Sequence, residues 1–283
     1  MHELPEVESI RKYLAGTVTG REIILIEYSG KFDFFGEDRN TFHSLFINRK
    51  ISALQRIGKY LFFEIHGNKN IVLFNFKNGE GFTHGSLYSE KERSQRDKKP
   101  FVFKFVFKDG TYLAYHNQKR IAKFFILKCN HGDSRKIVYD KFQHGIDALS
   151  LDLVSFDSSL NEANGLNCIM FLGSQKYISG IGSIYSSEIL FDCNISPLKK
   201  INDLTIQERI SLLKSIKNVL NNSISVNGID SSFYSLPNGM RGEFNGSLKV
   251  FDREFNACLN CRSQILKGIH KNKVYYYCKK CQI

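Results

Sequence analysis

The stretch Ile178-Ser179-Gly180-Ile181-Gly182-Ser183-Ile184-Tyr185-Ser186-Ser187-Glu188-Ile189-Leu190-Phe191 sets the architecture to be expected of this chain. Gly180-Ile181-Gly182 interrupts two apolar segments, so residues 166–179 and 184–191 read as short helices joined by a glycine turn, with Pro197 after the second. Backbone N–H groups at a helix start attract anions, which makes the Gly180–Ser183 turn a candidate phosphate site. A plain interhelical turn is the alternative.

Downstream, Thr205-Ile206-Gln207-Glu208 is a capping box that opens a helix running to Leu220, with Ile210, Leu213, Ile216 and Leu220 on its buried face. Residues 221–247 are rich in Asn, Ser and Gly and read as loop. Then come Cys258-x2-Cys261 and Cys278-x2-Cys281, sixteen residues apart. Each pair lets a tight knuckle present two thiolates, and two knuckles complete a tetrahedral site. The expected ligand set is Cys258, Cys261, Cys278 and Cys281 around one structural Zn2+, in a finger whose β-type segments, 264–269 and 273–277, are joined at His270-Lys271-Asn272. A closed four-thiolate site has no open coordination position, so the metal shapes the finger and does not catalyse. Cys129, Cys168 and Cys193 are scattered and read as buried apolar thiols.

Upstream, the pattern is different. Residues 5–14 form a helix: Pro5 suits the first turn, Glu6 and Glu8 sit at the positive end of the dipole, and Val7, Ile10 and Leu14 share a face. From Arg21 to about Leu127, short β-type runs follow at 23–28, 60–65, 71–76, 101–107 and 112–115, broken by turn signals such as Asn78-Gly79 and Asp109-Gly110. The periodicity fades over 129–158. The expected organisation is therefore α+β: an N-terminal helix and β-sandwich over 1–128, a linker over 129–150, a helical domain over 151–247 and a zinc finger over 248–283.

Composition narrows the partners. There are 40 Lys+Arg against 28 Asp+Glu, a formal charge of +12, and the excess is clustered at 91–128 and 240–283. Such an imbalance favours a polyanion through counterion release. No apolar run approaches the roughly 18 residues of a membrane span, and the opening Met1-His2-Glu3-Leu4-Pro5-Glu6 is too acidic for a signal peptide. The expectation is a monomeric, soluble, cytoplasmic or nucleoid-associated protein.

Three separated segments resemble one family. Glu3-Leu4-Pro5-Glu6-Val7-Glu8 is similar to the opening of formamidopyrimidine-DNA glycosylases and endonuclease VIII, ordinarily Pro-Glu-Leu-Pro-Glu-Val-Glu after loss of the initiator Met. The 178–191 stretch, continued by Ile195-Ser196-Pro197, resembles that family's helix–two-turns–helix motif. The four-cysteine finger, with Gln282 after its last ligand and Phe244–Glu254 leading in, is the third.

The resemblance implies base-excision repair of damaged bases or abasic sites in double-stranded DNA, with a nucleotide flipped out of the helix in a basic cleft between the two domains. It implies that an N-terminal proline amine attacks C1′ to form a Schiff base, that Glu3 transfers protons, and that Lys59 in Gly58-Lys59-Tyr60-Leu61 contacts DNA near the lesion. The chain departs from the pattern at the nucleophile, where His2 stands for proline. Met1 is expected to persist before so large a residue, and imidazole forms no stable Schiff base. Three outcomes follow: the Met1 α-amine substitutes, His2 and Glu3 activate water, or the site is silent and the protein is a non-catalytic damaged-DNA binder. Other departures concern DNA contacts. The void-filling loop aligns near Asn78 without a Met wedge, a later Arg-Arg-Phe-Gly becomes Lys119-Arg120-Ile121-Ala122, the motif's asparagine is Ser183, and the finger arginine is Lys273, which keeps charge but loses bidentate geometry. Gly180 and Gly182 complete the DNA-contact set that the resemblance implies.

Overall fold

The computed structural model describes residues 2–29, 39–76, 80–87, 100–117, 124–129, 134–232 and 234–283. It contains two compact units, one of residues 1–137 with 227–243 and the other of 138–226 with 244–283. The mixed α+β class expected from the sequence is the observed one.

The first unit opens with α1 (Leu4–Val18), whose Val7, Ile10, Leu14 and Val18 are buried at the spacing expected of one face. Among the described residues, eight antiparallel strands follow: β1 (Ile23–Tyr28), β2 (Ile51–Ile57), β3 (Tyr60–Ile65), β4 (Asn70–Asn75), β5 (Glu80–Ser86), β6 (Phe103–Phe107), β7 (Thr111–Asn117) and β8 (Phe124–Lys128). They form two four-stranded sheets, ordered β1-β6-β7-β5 and β2-β3-β4-β8. The sheets share an aromatic core in which Phe74 of one lies 5.1 Å from Tyr115 of the other, and Phe63 5.6 Å from Phe82. Burying several such rings supplies most of the drive to close a sandwich.

One helix here was not anticipated. Residues 39–46 form α2 (Arg39–Phe46), which delivers Phe42 and Phe46 to the same core. The segment 227–243 also joins this unit, inserting Tyr234 and Leu236 into its core, whereas sequence pattern alone keeps 151–247 together.

The second unit contains most of α3 (Ser134–Phe142), then α4 (Leu153–Glu162), α5 (Cys168–Gly173), α6 (Ser183–Asp192) and α7 (Ile206–Ser225). Asp152 caps α4 through the Ser155 N–H, and Asn167 caps α5 through that of Met170. The helix expected over 166–179 is shorter than read: it stops at Gly173, and β10 (Ile178–Ser179) is extended, pairing in parallel with β9 (Ile146–Asp147). The capping box of α7 is as read, with the Thr205 N–H on Glu208 Oε2 at 2.9 Å and the Glu208 N–H on Thr205 Oγ1 at 3.2 Å. This helix runs five residues past Leu220, burying Ile224, while Ile210 faces outward. The finger hairpin pairs β11 (Leu266–His270) with β12 (Lys273–Tyr277). Its two-residue turn has positive φ at Lys271 and Asn272, 45° and 65°, the conformation that matches the twist of paired strands.

Candidate functional site

His2 and Glu3 are buried. Glu3 is the N-cap of α1, and its N–H donates to Glu6 Oε2 at 2.9 Å. His2 is 3% exposed, with Phe76 and Tyr234 each 5.3 Å from its ring, and neither ring nitrogen finds a hydrogen-bond partner among the described residues. Burial, helped by the positive amino end of the chain, pushes the imidazole down to about pKa 3, so it is neutral at physiological pH. Burial likewise raises the Tyr234 phenol, and the Glu6 charge adds to that effect. Glu6 also accepts the Ile229 N–H at 3.1 Å, which ties the 227–243 segment to the first helix turn.

Lys59 sits in the two-residue turn between β2 and β3, partly buried, next to Gly58 with φ +55°. The turn is held from below. Arg56 donates from Nη1 to the Gly58 carbonyl at 2.9 Å and from Nε to Glu8 Oε2 at 2.9 Å, while Arg11 forks onto the same carboxylate. Burial alone would raise the Glu8 carboxyl; the Arg11 hydrogen bond and the charges of Arg56 and Arg11 outweigh it and hold the pKa below its usual value. α1, which carries Glu3, and the turn that carries Lys59 are thus joined by one buried ion pair.

In the second unit, Gly180 has φ +109°, a conformation open to glycine, and Gly182 is the N-cap of α6. Ser183 is its first helical residue and is partly buried. Lys273 on β12 donates from Nζ to the carbonyl of Gly173 at 3.1 Å, placing a cation at the C-terminal end of α5, where the helix dipole favours it. β12 is fixed to α6 by the Tyr276 N–H on Ser187 Oγ at 3.1 Å.

The four finger cysteines converge. Their sulfur atoms lie within 4.8 Å of one another, with Cys258–Cys281 at 3.8 Å and Cys261–Cys278 at 3.5 Å. A tetrahedron with metal–sulfur bonds of about 2.3 Å has edges of about 3.8 Å, so the cluster can hold one metal ion. Glu188 anchors the lead-in, accepting the N–H groups of Lys249, Val250 and Phe251 at 2.7–2.9 Å. Gln282 anchors the second knuckle, accepting the Cys278 N–H and donating to the Ile195 carbonyl.

Arg56 and Glu188 are site-supporting residues that sequence reasoning did not single out, and Glu6 was read only as a complement to the helix dipole. A carboxylate or guanidinium within an otherwise apolar stretch was the available signal. Met1, Asn78, Lys119, Arg120 and Ile121 lie outside the described residues. Among the described residues no helix is long and apolar enough to cross a membrane.

The fold and site define a two-unit protein of the helix–two-turns–helix type with a four-cysteine metal finger. Residues 1–124 match the formamidopyrimidine-DNA glycosylase N-terminal domain, and residues 155–235 match that family's H2TH domain. The formamidopyrimidine-DNA glycosylase of Mycoplasma genitalium is 26% identical over 100% of this chain and 96% of its own length. That of Heliobacterium modesticaldum is 28% identical, with 100% of both chains covered. The fold is also that of Lactococcus lactis Fpg complexed with DNA containing an abasic site, at TM-score 0.84, 23% identity and 99% coverage of each chain. The chain belongs to the formamidopyrimidine-DNA glycosylase family.

Proposed function

We propose that the chain is a base-excision DNA glycosylase with AP-lyase chemistry, acting as a monomer on damaged bases or abasic sites in double-stranded DNA at the nucleoid. Family membership that spans both halves of the molecule carries this reading. The relatives bear the glycosylase name, and the Lactococcus lactis protein of the same fold holds abasic DNA.

The chemistry is constrained by His2. A neutral imidazole cannot act as a cationic acid near neutrality, and its ring nitrogens form no stable imine, so proton transfer falls to Glu3 at the buried head of α1. The covalent route then needs the α-amine of Met1. That nitrogen bonds to C1′ as the glycosidic bond breaks and the base leaves with the amine's proton; the nitrogen lone pair then opens the C1′–O4′ bond, the ring oxygen taking a proton, and the resulting iminium permits loss of a C2′ proton with departure of the 3′-phosphate. Lys59 supports the strand near the lesion. Gly182, Ser183 and Lys273 bind phosphate, with Gly180 shaping the turn that presents them, and Asn78, Lys119, Arg120 and Ile121 contact the DNA around the everted nucleotide. The ion held by Cys258, Cys261, Cys278 and Cys281 is zinc, expected at one atom per chain by elemental mass spectrometry.

Incubation with abasic-site DNA and borohydride tests the reading. A trapped adduct that maps to Met1 and is lost in Glu3→Gln supports it. Base or strand release without trapping replaces the amine by water activated at Glu3. His2→Pro, which restores the usual nucleophile, is expected to trap efficiently. Tight DNA binding with no product from wild type on oxidised, alkylated and abasic duplexes would overturn the enzymatic reading in favour of a damage-binding protein.

A further inference from the structure

Gln175 lies between α5 and the glycine turn, and both ends of its side-chain amide are engaged. Oε1 accepts the Gly180 N–H at 2.9 Å, and Nε2 donates to the Ile181 carbonyl at 2.7 Å. The same Nε2 lies 3.4 Å from the Gly173 carbonyl, the acceptor to which Lys273 Nζ donates at 3.1 Å. One amide therefore touches the turn on two sides and shares a carbonyl with the finger cation. Its own main chain is immobilised as well. The Gln175 carbonyl accepts the Gly145 N–H at 2.8 Å, and His144 Nδ1 lies 3.3 Å from it, necessarily as donor because a carbonyl only accepts. Gly145 is pressed so close to Tyr177 that a Cβ there would meet backbone atoms at 2.1 Å, so this support cannot slide. Beside the turn, the Ser179 hydroxyl is 1% exposed and finds no partner among the described residues.

We propose that Gln175 is a positioning residue that fixes the Gly180–Ser183 turn and the Lys273 ammonium in one geometry, so that they meet a single DNA phosphate together. The inference rests on the DNA reading above. A glutamine is suited to the task because one planar group supplies an acceptor and a donor at fixed separation; an apolar side chain supplies neither and a carboxylate supplies no donor. With the amide gone, the Gly180 N–H and the Ile181 carbonyl lose their restraint. Lys273 retains its charge but not its alignment with the turn.

The test is duplex affinity over a potassium chloride series, on DNA carrying a tetrahydrofuran abasic analogue, for wild type, Gln175→Met, Lys273→Met and the double variant. Each single variant is expected to weaken binding about tenfold and to reduce the slope of log affinity against log salt by about 0.9, one phosphate contact. The double variant is expected to lose no more than about threefold beyond either single, because both remove one contact. Gln175→Asn, the same amide one methylene short, replaces Gln175→Met if that protein does not melt cooperatively. Wild-type binding by the Gln175 variant, or losses that multiply to about a hundredfold with only Lys273→Met changing the slope, overturns the inference and leaves the DNA reading intact. A wild-type protein with no salt-dependent duplex affinity overturns the DNA reading itself.

Discussion

Glu6 Oε1 accepts the N–H of Ile229, 223 positions further along the chain, at 3.1 Å. This bond fastens the 227–243 segment to the first turn of α1, beside His2 and Glu3. It is possible because the preceding residue is glycine. Gly228 has φ +81°, and a Cβ there would stand 2.6 Å from the same carboxylate oxygen.

Gly228→Ala is therefore expected to destabilise the protein by about 2 kcal/mol, the cost of a left-handed alanine plus displacement of Glu6. Urea unfolding measures it. A midpoint matching wild type would mean that the contact is dispensable.

The Arg56–Glu8 pair gives a second prediction. Both side chains are buried, 6% and 11% exposed. Arg56→Met leaves Glu8 with Arg11 alone in a poorly solvated place and is expected to cost about 3 kcal/mol. Adding Glu8→Leu should recover much of that loss, since replacing a whole buried pair is far milder than halving it. A double variant less stable than the single would show that the charges are worth more than their desolvation.

His2 makes stability depend on pH. Its imidazole is neutral in the folded protein down to about pH 3, whereas an unfolded histidine protonates near 6.5. Between these values the unfolded chain binds the extra proton. The native state is therefore fully stable above pH 6.5 and weakens as pH falls, by about 2 kcal/mol on reaching pH 5. His2→Phe should flatten this segment of the profile in paired urea titrations at pH 7 and pH 5. Identical pH dependence in the two proteins would contradict neutral burial.

Metal removal should act locally. Cys258 and Cys278 are fully buried in a small cluster with Phe191, Val250, Ile265 and Tyr276, too few apolar groups to fold a finger without the ion. Chelation, or Cys278→Ser, is expected to release the metal and lower duplex affinity at least about tenfold, by loss of finger phosphate contacts. The sandwich should keep its own unfolding transition. Unchanged affinity would remove the finger from the DNA contact set.

The parts legible in the sequence were those fixed by local chemistry. Cys258, Cys261, Cys278 and Cys281 announce a tetrahedral site through spacing alone, and Thr205 with Glu208 announces a helix start. Strands 23–28, 60–65 and 273–277 were read to their ends because alternation and turn residues bound them. What escaped depended on distant partners. Arg39–Phe46 is phenylalanine-bearing like its neighbouring strands, and only the core formed by Phe42 and Phe46 makes it a helix. The segment after Gly173 follows an apolar helical pattern, yet Ile178 and Ser179 are drawn into a strand by Ile146 and Asp147. Arg56, Glu188 and Gln175 look like ordinary polar residues until their partners, up to 63 positions away, are in view.

The sandwich holds Tyr234 and Leu236 in its interior, although its last strand ends at Lys128. During synthesis this half cannot be completed when its strands have left the ribosome; it waits about a hundred residues more, through the whole helical segment, for its final inserts. At about 5–20 residues per second that delay lasts about 5–20 seconds. A fragment ending near residue 137 would lack Tyr234 and Leu236 and leave part of the sandwich interior unfilled.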